Sequence, residues 1–356
     1  MPTTYVQNVQ GRRFFPLDEK LKLRADHWSD GAARVAVRQG LQAKSFDLAA
    51  EAYGDAVGGG MSSDSLRRLT EGWGQKEEDK RKSEAERVYA QKSPEPAQKV
   101  VKTDRPIGDQ ANLSTDGGMV LLREEGWKEV KLSVISEVMV NQVVATAHDP
   151  FPDPQITLKQ HSYQAGLWDA DEMGQHQYLE GTRRQVEGCP RFSSTNDGAL
   201  WIERITASNY PQALQILDWG HADERLWKVA KAVFGEGTPQ TQSWAQHQIE
   251  QLWNGRGDEV VTALNNLHLN QLSCPEDICQ SAAYFEARIP KIDYARFRQE
   301  GYPIGSGTVE SAVNTVVHHR LKRQGRGWKR QCAQSMLAGL SELHSGRFLS
   351  AWNFCP

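Results

Sequence analysis

The sequence lacks the long apolar runs that would carry a protein into or across a membrane. No stretch of its 356 residues approaches the roughly 18 to 20 apolar residues of a membrane-spanning helix. The N-terminal segment, residues 1–8, also has none of the apolar character of a signal peptide. We therefore expect a cytoplasmic protein without a membrane partner.

Cysteine is scarce, and a strong net charge is missing. The five cysteines are an odd number, and only Cys274 and Cys279 lie close together, without a second cysteine pair or a histidine pair nearby. This spacing argues against a zinc site and favours reduced thiols. A net charge of -3 does not mark a nucleic-acid binder, so any such partner has to be inferred from local charge.

The basic residues that are present gather near the C-terminus. From Gly301 onward the chain has seven Lys or Arg residues and two acids, and Glu310 is the only acid between Ser306 and Trp328. Thr308 is placed to cap a helix that carries Glu310 in its first turn. A lone carboxylate ahead of a basic helix suits a site where metal ions meet a phosphate backbone, although a capped helix with a solvated basic face has the same pattern. The apolar residues at helical spacing are Val309, Val313, Val316, Val317 and Leu321.

The N-terminal region, residues 1–75, has the outline of a helix-turn-helix. Ser45 is placed to cap one helix, three successive glycines form a turn, and Ser62 or Ser63 opens a second helix. Arg67 and Arg68 fall on the exposed side of that second helix, where a recognition helix would meet a DNA groove. An ordinary helical hairpin has the same outline. The apolar residues on one face are Leu66, Leu69 and Trp73.

Residues 76–106 are dominated by charge of both signs. Seven Lys or Arg residues and six acids lie between Gln75 and Lys99, and a proline-containing segment follows. This composition predicts a solvated helix and a linker, with a domain boundary near Pro106.

From Asn112 onward the pattern changes to strands. A strand carrying Asp116 is followed by a Gly-rich turn and by a second strand that alternates polar and apolar residues from Gly126 for about ten positions. A third strand is expected around residues 161–168, after a proline-rich loop. Residues 169–187 then have the pattern of a helix.

Two short apolar segments follow, and each ends in an acid. Asp197 comes directly after the first segment, and Asp218 follows the second, with His221 three residues later. Three antiparallel strands, a helix, a strand, a helix and a strand are the outline of an α/β, RNase H-like mixed five-stranded sheet. In that sheet the first and fourth strands are neighbours, so Asp116 and Asp197 would share a cleft.

The remaining chain is predicted to be helical. Residues 226–289 show no strand pattern and are interpreted as an all-helical insertion, after which the helix with Glu310 returns to the sheet. Residues 330–348 continue in helix. The expected domains are therefore a catalytic core in two parts, 107–222 and 297–356, separated by an insertion over 223–296.

Three blocks of sequence resemble a known family. The blocks are S-T-D-G-G-M-V with G-W-K-E-V-K, N-D-G-A-L-W-I with L-Q-I-L-D-W-G-H, and G-Y-P-I-G-S-G-T-V-E-S with H-R-L-K-R-Q-G-R-G-W. In this order they are similar to the catalytic core of bacterial insertion-sequence DDE transposases of the Kra type (the ISKra family), over roughly residues 110–350. The chain departs from that pattern at Gly220, where an aromatic residue is usual, and in a shorter N-terminal region.

The resemblance implies which residues form the site. Asp116, Asp197 and Glu310 match the three catalytic and metal-binding acids, with Mg²⁺ as the cofactor, two ions in number, and Mn²⁺ able to substitute. Asp218 is a rival for the second position, or, with His221, a supporting element of the D-x-x-H kind.

The resemblance also implies an activity and partners. We expect hydrolytic release of a 3'-hydroxyl at the ends of an insertion sequence, followed by its attack on target DNA. The partners would be double-stranded DNA, as terminal inverted repeats and target, and further copies of the chain in a homo-oligomer, in a bacterial cytosol near the nucleoid. A catalytically silent, transposase-derived repressor and another RNase H-like nuclease are the alternatives. The residues expected to bind backbone phosphates are Arg320, Lys322, Arg323 and Arg326.

Overall fold

The computed structural model describes residues 6–7, 13–14, 20, 23, 28–92, 104–146, 152–269, 275–323 and 327–353. The chain divides into two compact units. We call them unit 1 (Met1–Arg81, Val120–Lys128 and Val316–Pro356) and unit 2 (Lys82–Met119 and Glu129–Thr315).

A mixed five-stranded sheet lies at the centre of unit 2. Its strand order is β5-β4-β3-β6-β7. β6 runs parallel to both β3 and β7, and β4 runs antiparallel to β5. Two short strands, β1 and β2, form a separate antiparallel pair. The strands are β1 (Val6–Gln7), β2 (Arg13–Phe14), β3 (Gln110–Leu122), β4 (Gly126–Asn141), β5 (Gln155–Gly166), β6 (Arg191–Asn196) and β7 (Leu214–Leu217).

The prediction of an α/β protein with a mixed five-stranded sheet is confirmed, and the strand order is consistent with an RNase H-like fold. The third strand, β5, begins at Gln155, six residues before the expected start. Its pairing with β4 shifts register between Ile135 and Glu137, and Gln160 has a left-handed backbone with φ +49°. This bulge interrupts the alternation of side chains, which hides the first half of the strand in the sequence.

One face of the sheet is covered by the helix α4 (Ala170–Arg184). A capping box between Asp169 and Glu172 starts this helix, and Gln185 in the left-handed conformation ends it. The last helical residue, Arg184, lies three residues before the helix end expected at residue 187. The amide of Gln177 donates to the Thr115 hydroxyl on β3, at 3.1 Å. The core on this side includes Leu113, Ile135, Leu179, Phe192 and Tyr210.

The opposite face of β3 and β6 contains buried polar side chains that join the two strands. The side-chain oxygen of Asn112, Oδ1, accepts hydrogen bonds from the hydroxyls of Ser193 and Thr195, at 2.9 and 3.0 Å. On the α4 side of the sheet, the side-chain oxygen of Asn196 accepts the backbone N–H of Thr115 at 2.7 Å. These bonds satisfy groups that would otherwise be buried without partners.

Among the described residues, the region between β7 and Gly307 consists of helices and connecting loops, without a strand. Its core is formed around Leu226, Val260, Phe285, Tyr294 and Phe297, all fully buried. That this region is an insertion into the sheet domain stays a prediction. The helix α5 (Leu200–Asn209) precedes β7. The helices that follow β7 are α6 (Trp219–Phe234), α7 (Pro239–Trp253), α8 (Gly257–Asn266), α9 (Glu276–Cys279), α10 (Ser281–Glu286) and α11 (Tyr294–Gln299).

Unit 1 contains the N-terminal helices α1 (Asp30–Gln42), α2 (Phe46–Val57) and the start of α3 (Ser63–Ala90). Ser45 caps α2, and Gly58 ends it with φ +70°, as the sequence indicates. The predicted charged helix after Gln75 is confirmed as far as Ala90, where it is a continuation of α3 without a break. The glycines at 72 and 74 do not stop a helix whose neighbours favour it, and Gly74 lets the Ser335 carbonyl approach too closely for any larger residue. Recognition of DNA by this helix pair stays a prediction.

The C-terminal helices differ from expectation at their boundaries. Thr308 does not cap the helix with Glu310, because α12 (Gly307–Ala312) already includes Thr308 and follows Ser306. A π-helical segment, Val313–His318, and one turn, α13 (His319–Leu321), come next. The sequence predicts one continuous helix over 330–348, but the structure has two helices, α14 (Arg330–His344) and α15 (Phe348–Asn353). Gly346, with φ +74°, turns the chain between them.

Two further findings concern membranes and cysteines. Among the described residues, no helix is long and apolar enough to cross a membrane. Cys189 and Cys332 are free thiols, as expected, but Cys279 is in a disulfide, so reduction of all cysteines is wrong for Cys279.

Candidate functional site

Three aspartates lie at one level of the parallel strands. Leu113 on β3 pairs with Ser194 on β6, and Asn196 pairs with Leu217 on β7. Continuing the same register places Asp116, Asp197 and Asp218 opposite one another, on strands about 4.8 Å apart. The sequence predicts a shared cleft for Asp116 and Asp197. The register brings Asp218 to the same level, beside Asp197.

The turn that carries Asp197 is fixed from two sides. The Asp197 carboxylate accepts the backbone N–H of Ala199 at 2.8 Å, and the Tyr284 hydroxyl donates to the Asp197 carbonyl at 3.2 Å. Gly198 has φ +84°, and a Cβ there would lie 2.5 Å from the Tyr284 oxygen. Arg288 donates to the Gly198 carbonyl at 2.9 Å. The D-G sequence is therefore required by packing as well as by backbone conformation.

Asp218 is buried, and both of its oxygens are occupied. One oxygen, Oδ2, lies 2.7 Å from His221 Nδ1 and accepts the His221 backbone N–H at 2.8 Å. The other, Oδ1, accepts the backbone N–H of Ser306 at 2.6 Å. Burial would raise the pKa of Asp218, but these hydrogen bonds from His221 and Ser306 outweigh it and lower the pKa.

Glu310 reaches the same region through the loop that precedes its helix. The Thr195 hydroxyl donates to the Pro303 carbonyl at 2.8 Å, and the Trp219 N–H donates to the Ile304 carbonyl at 2.9 Å. Ser306, already bound to Asp218, donates its hydroxyl to Glu310 Oε1 at 3.1 Å. A continuous path of hydrogen bonds thus runs from His221 through Asp218 and Ser306 to Glu310.

The pKa shifts show that these charges act on one another. Burial raises the pKa of Asp116, and the negative charges of Asp197 and Glu310 raise it further, against the lowering effects of the Gly117 N–H and His221. The hydrogen bond with Asp218 raises the pKa of His221, and Asp197 and Glu310 add to this rise. We call Asp116, Asp197, Asp218, Glu310 and His221 the carboxylate cluster. All five belong to unit 2.

The carboxylate cluster fits a divalent cation in its chemistry but not in its present spacing. Carboxylate oxygens are the ligands that Mg²⁺ prefers, and mutual repulsion at Asp116 is the kind of energy that a cation relieves. Yet among the described residues no three His, Cys, Asp or Glu side chains are grouped closely enough to hold a metal ion. Metal binding would have to draw these side chains together.

The two arginines assigned to a recognition helix are engaged within that helix. Arg67 forms ion pairs with Asp64 at 2.6 Å and with Glu71 at 2.8 Å, and Arg68 pairs with Asp64 at 2.5 Å. Because acids on the same helix pair with both arginines, less of their positive charge is available to DNA than the sequence pattern indicates. Both arginines belong to unit 1.

The basic C-terminal residues also belong to unit 1, but they do not form one exposed helix face. Arg320 is buried and donates to the Gly40 carbonyl at 3.1 Å. Lys322 is exposed and follows the last helical residue, and Arg323 donates back to the His319 carbonyl at 2.7 Å. Arg326 lies outside the described residues.

Sequence reasoning missed two residues that hold the carboxylate cluster in place. In the sequence Ser306 is only one member of a loop, although its spacing of four from Glu310 is a usable signal for contact at a helix start. Tyr284 leaves no signal, because its hydrogen bond to Asp197 joins segments 87 positions apart.

Comparison with known proteins adds little to this geometry. The chain is similar to the Drosophila P element transposase strand transfer complex, with 9% sequence identity, a TM-score of 0.26, and coverage of 95% of this chain and 87% of that chain. A TM-score this low carries no argument about fold or activity. No protein-family model matches the chain, and no curated protein matches it.

Proposed function

We propose that the chain is a DDE transposase-like enzyme that cleaves and joins DNA phosphodiester bonds with the help of a divalent metal. The observation that supports this most directly is the register of β3, β6 and β7, which aligns Asp116, Asp197 and Asp218. The hydrogen-bonded path through Ser306 adds Glu310 to them. Burial raises the pKa of Asp116 and the charges of Asp197 and Glu310 raise it further, and a bound cation would relieve this repulsion.

In this proposal Asp116, Asp197 and Glu310 hold Mg²⁺, as two ions, and Mn²⁺ can substitute. Bound there, the metal would activate a hydroxyl nucleophile and stabilise the leaving oxygen. The three side chains would supply oxygen ligands and orient them. No covalent bond between the chain and DNA is needed for in-line displacement at phosphorus.

Asp218 fits a positioning role better than a metal ligand. Its two oxygens accept three hydrogen bonds from Ser306 and His221, so metal binding would have to break some of them. The Asp197 carboxylate accepts the Ala199 N–H and is only partly buried. Asp197 is therefore the better second ligand, with Asp218 holding the loop that leads to Glu310.

The remaining assignments belong to the same proposal. Residues 1–75 would contribute to binding DNA ends. Arg67 and Arg68 would either leave their ion pairs to bind DNA or attract it through the net positive charge around them. Residues 223–296 would be the helical insertion of the catalytic core. Double-stranded DNA, as terminal repeats and target, would be the partner, and a homo-oligomer would be required to join two ends.

A catalytically silent DNA-binding repressor is the second candidate. One observation favours it, namely that the described residues contain no group of three ligands at metal-binding distance. The repressor would use the same basic residues without cleavage.

Cleavage of a labelled duplex that spans the boundary of the encoding element tests the proposal. We expect Mg²⁺- or Mn²⁺-dependent nicking by the native chain and a loss of about 10³-fold in Asp116→Asn, Asp197→Asn and Glu310→Gln, because each removes a charged ligand worth several kcal/mol to the transition state. Asp218→Asn should be weakened less. Asp109→Asn, an exposed acid directly before β3, is the matched control and should cleave normally.

The outcomes separate the candidates. If Asp218→Asn were inactive and Asp197→Asn active, the second ligand would be misassigned. If no variant and no native chain cleaved while all bound the element ends, the repressor would replace the enzyme. Preference for an RNA/DNA hybrid or a branched substrate would instead indicate another RNase H-like nuclease.

A further inference from the structure

Unit 1 contains a cavity of about 790 Å³, within the size range of ligand-binding sites. Its lining is unusually rich in one sign of charge, with six cationic side chains and one carboxylate. We call it the basic cavity. The residues that line it are Lys44, Phe46, Arg67, Glu71, Arg123, Arg320, Arg323, Gly327, Trp328, Lys329 and Cys332.

The single carboxylate of the basic cavity does not offset the charge of the other residues. Glu71 is paired with Arg67 at 2.8 Å and accepts a hydrogen bond from the Cys332 thiol. Among the described residues, Lys44, Arg123, Arg323 and Lys329 have no acidic side chain within ion-pair distance. Like charges held together in this way repel one another, and an anionic ligand would relieve the repulsion.

Three of the arginines that line the basic cavity donate to backbone carbonyls. Arg123 donates to the Gly327 carbonyl at 2.8 Å, and its own N–H donates to the Trp328 carbonyl at 2.9 Å. Arg320 packs against the rings of Phe46 and Trp328, with its guanidinium carbon 4.4 and 5.1 Å from the ring centres. The site is thus ordered before any ligand arrives, which lowers the entropic cost of binding.

The start of the helix α14 adds a second source of positive potential. Lys329 is the residue before its first turn, and the Lys329 side chain makes no capping hydrogen bond. The first N–H groups of this 15-residue helix therefore lie next to the cavity residues Lys329 and Cys332. A helix N-terminus among cations is a favourable place for phosphate oxygens.

We infer that the basic cavity binds phosphates of a DNA strand. This inference rests on the proposed function, because it takes DNA to be the substrate. It goes beyond that proposal in naming the place of contact. Lys44 and Arg123, which lie outside the basic C-terminal segment, and Lys329, which belongs to it, join Arg320 and Arg323 in one site, whereas Lys322 does not line it.

Binding of a fluorescent duplex to the full chain in EDTA tests the inference. Lys44→Gln combined with Lys329→Gln removes two ammonium groups that form no ion pair with any described residue. We expect affinity near 100 mM salt to fall about tenfold or more, and the slope of log affinity against log salt to fall by about 0.9 for each phosphate that the variant no longer neutralises. Arg38→Gln, which removes an exposed charge of unit 1 outside the cavity, should change neither quantity as much.

Three results would overturn the inference. The double variant could bind DNA with the native affinity and salt slope, or the Arg38→Gln control could weaken DNA binding as much as the cavity variant does. The third result would come from equilibrium dialysis with ATP and pyrophosphate. If the double variant lost binding of these soluble ligands but kept DNA binding, the cavity would bind a free phosphate compound and not DNA. Thermal unfolding of each variant shows whether weaker binding comes from a folding defect.

This test is independent of cleavage. EDTA removes any metal, so a chain that never cleaves DNA can still show the expected salt slope. A cleavage failure with a positive result here would support the repressor, whereas normal cleavage with a negative result would move the site of DNA binding elsewhere.

Discussion

Backbone groups hold charged side chains in both the carboxylate cluster of unit 2 and the basic cavity of unit 1, but with opposite polarity. In the cluster, Asp197 and Asp218 accept backbone N–H groups of Ala199 and Ser306. In the basic cavity, three arginines donate to backbone carbonyls instead. They are Arg123, Arg320 and Arg323, bonded to Gly327, Gly40 and His319. In both regions backbone groups hold several of the like charges, alongside side-chain pairs such as His221 with Asp218 and Arg67 with Glu71.

The difference lies in what completes each region. Carboxylates held by amides leave oxygens that suit a small, hard cation. Guanidinium and ammonium groups around a cavity of about 790 Å³ suit a larger anion with many oxygens. Under the proposed function, the carboxylate cluster of unit 2 would hold the metal and the basic cavity of unit 1 would bind the polyanion.

The largest expected effect comes from Asp218→Ala in the carboxylate cluster. The change leaves the buried N–H of Ser306 and the N–H of His221 without their acceptor, which should lower the free energy of unfolding by about 2 to 4 kcal/mol. Urea denaturation measures this loss. Asp223→Ala, on the same helix, is the control and should cost under about 0.5 kcal/mol. Equal losses in both variants would show that the backbone hydrogen bonds of Asp218 are unimportant.

A second, smaller effect is expected in the basic cavity. Arg320→Leu removes hydrogen bonds to carbonyls and contacts with two rings, and should cost about 1 to 3 kcal/mol. Relief of repulsion among the other cations is screened by solvent and should not cancel this loss. Lys322→Leu, an exposed neighbour, should leave stability nearly unchanged. If the Arg320 variant were as stable as the native chain, backbone hydrogen bonds would not stabilise the basic cavity as they stabilise the carboxylate cluster.

Metal addition should stabilise the chain through the carboxylate cluster alone. At a Mg²⁺ concentration ten times its dissociation constant, the free energy of unfolding should rise by about 1.4 kcal/mol. The double variant Asp116→Asn, Asp197→Asn should show no such rise, and KCl at equal ionic strength should give none in either chain. Calorimetric unfolding with and without EDTA measures the effect. Stabilisation that survives in the double variant would place the metal elsewhere.

The smallest effect is a pH dependence from His221. Its pKa is raised above 6.5 by Asp218, so the stabilisation is complete below about pH 6.5 and is lost as pH rises through the higher folded value. Because the His221 side chain is 43% exposed, the effect should stay under about 1 kcal/mol. Denaturation between pH 6 and 9 should show this decline in the native chain. A decline that persists in both His221→Gln and Asp218→Asn would have another source.

Asp218 itself should act in the opposite direction. Its pKa is lowered by the hydrogen bonds from His221 and Ser306, so its contribution is present above about pH 4 and is lost as pH falls through the lower folded value. The two declines occupy different pH ranges and can be measured in one series.

The sequence predicts the sheet because local patterns determine it. Alternation along β4 and the apolar segments before Asp197 and Asp218 mark strands directly, and their order limits the pairing. The adjacency of Asp116 and Asp197 follows from that pairing. The pairing of β6 with β7 also places Asp218 beside Asp197. The hydrogen bond that Asp218 accepts from the Ser306 N–H does not follow from the sequence, because the two residues are far apart and a backbone N–H has no residue-specific pattern.

The basic residues show the opposite limit. Counting charges finds Arg320, but cannot tell that its guanidinium packs against Phe46 and Trp328 instead of facing solvent. Lys44 is an isolated charge and Arg123 is followed by Glu124 and Glu125, so neither belongs to a basic run, and only tertiary structure brings them into the basic cavity. Charge patterns predict that a site for an anion exists more readily than they predict which residues form it.

The buried asparagines between β3 and β6 also determine how the strands can pair. A slip of one residue would turn Asp197 to the other face of the sheet, away from Asp116. The same slip would leave Asn112 and the Asn196 carbonyl without their partners Ser193, Thr195 and the Thr115 N–H. Each orphaned group costs about 1 to 3 kcal/mol, so misaligned chains are disfavoured during folding. These amides therefore favour the register that brings Asp116 and Asp197 together, whereas Glu310 reaches them separately, through the loop that contains Ser306.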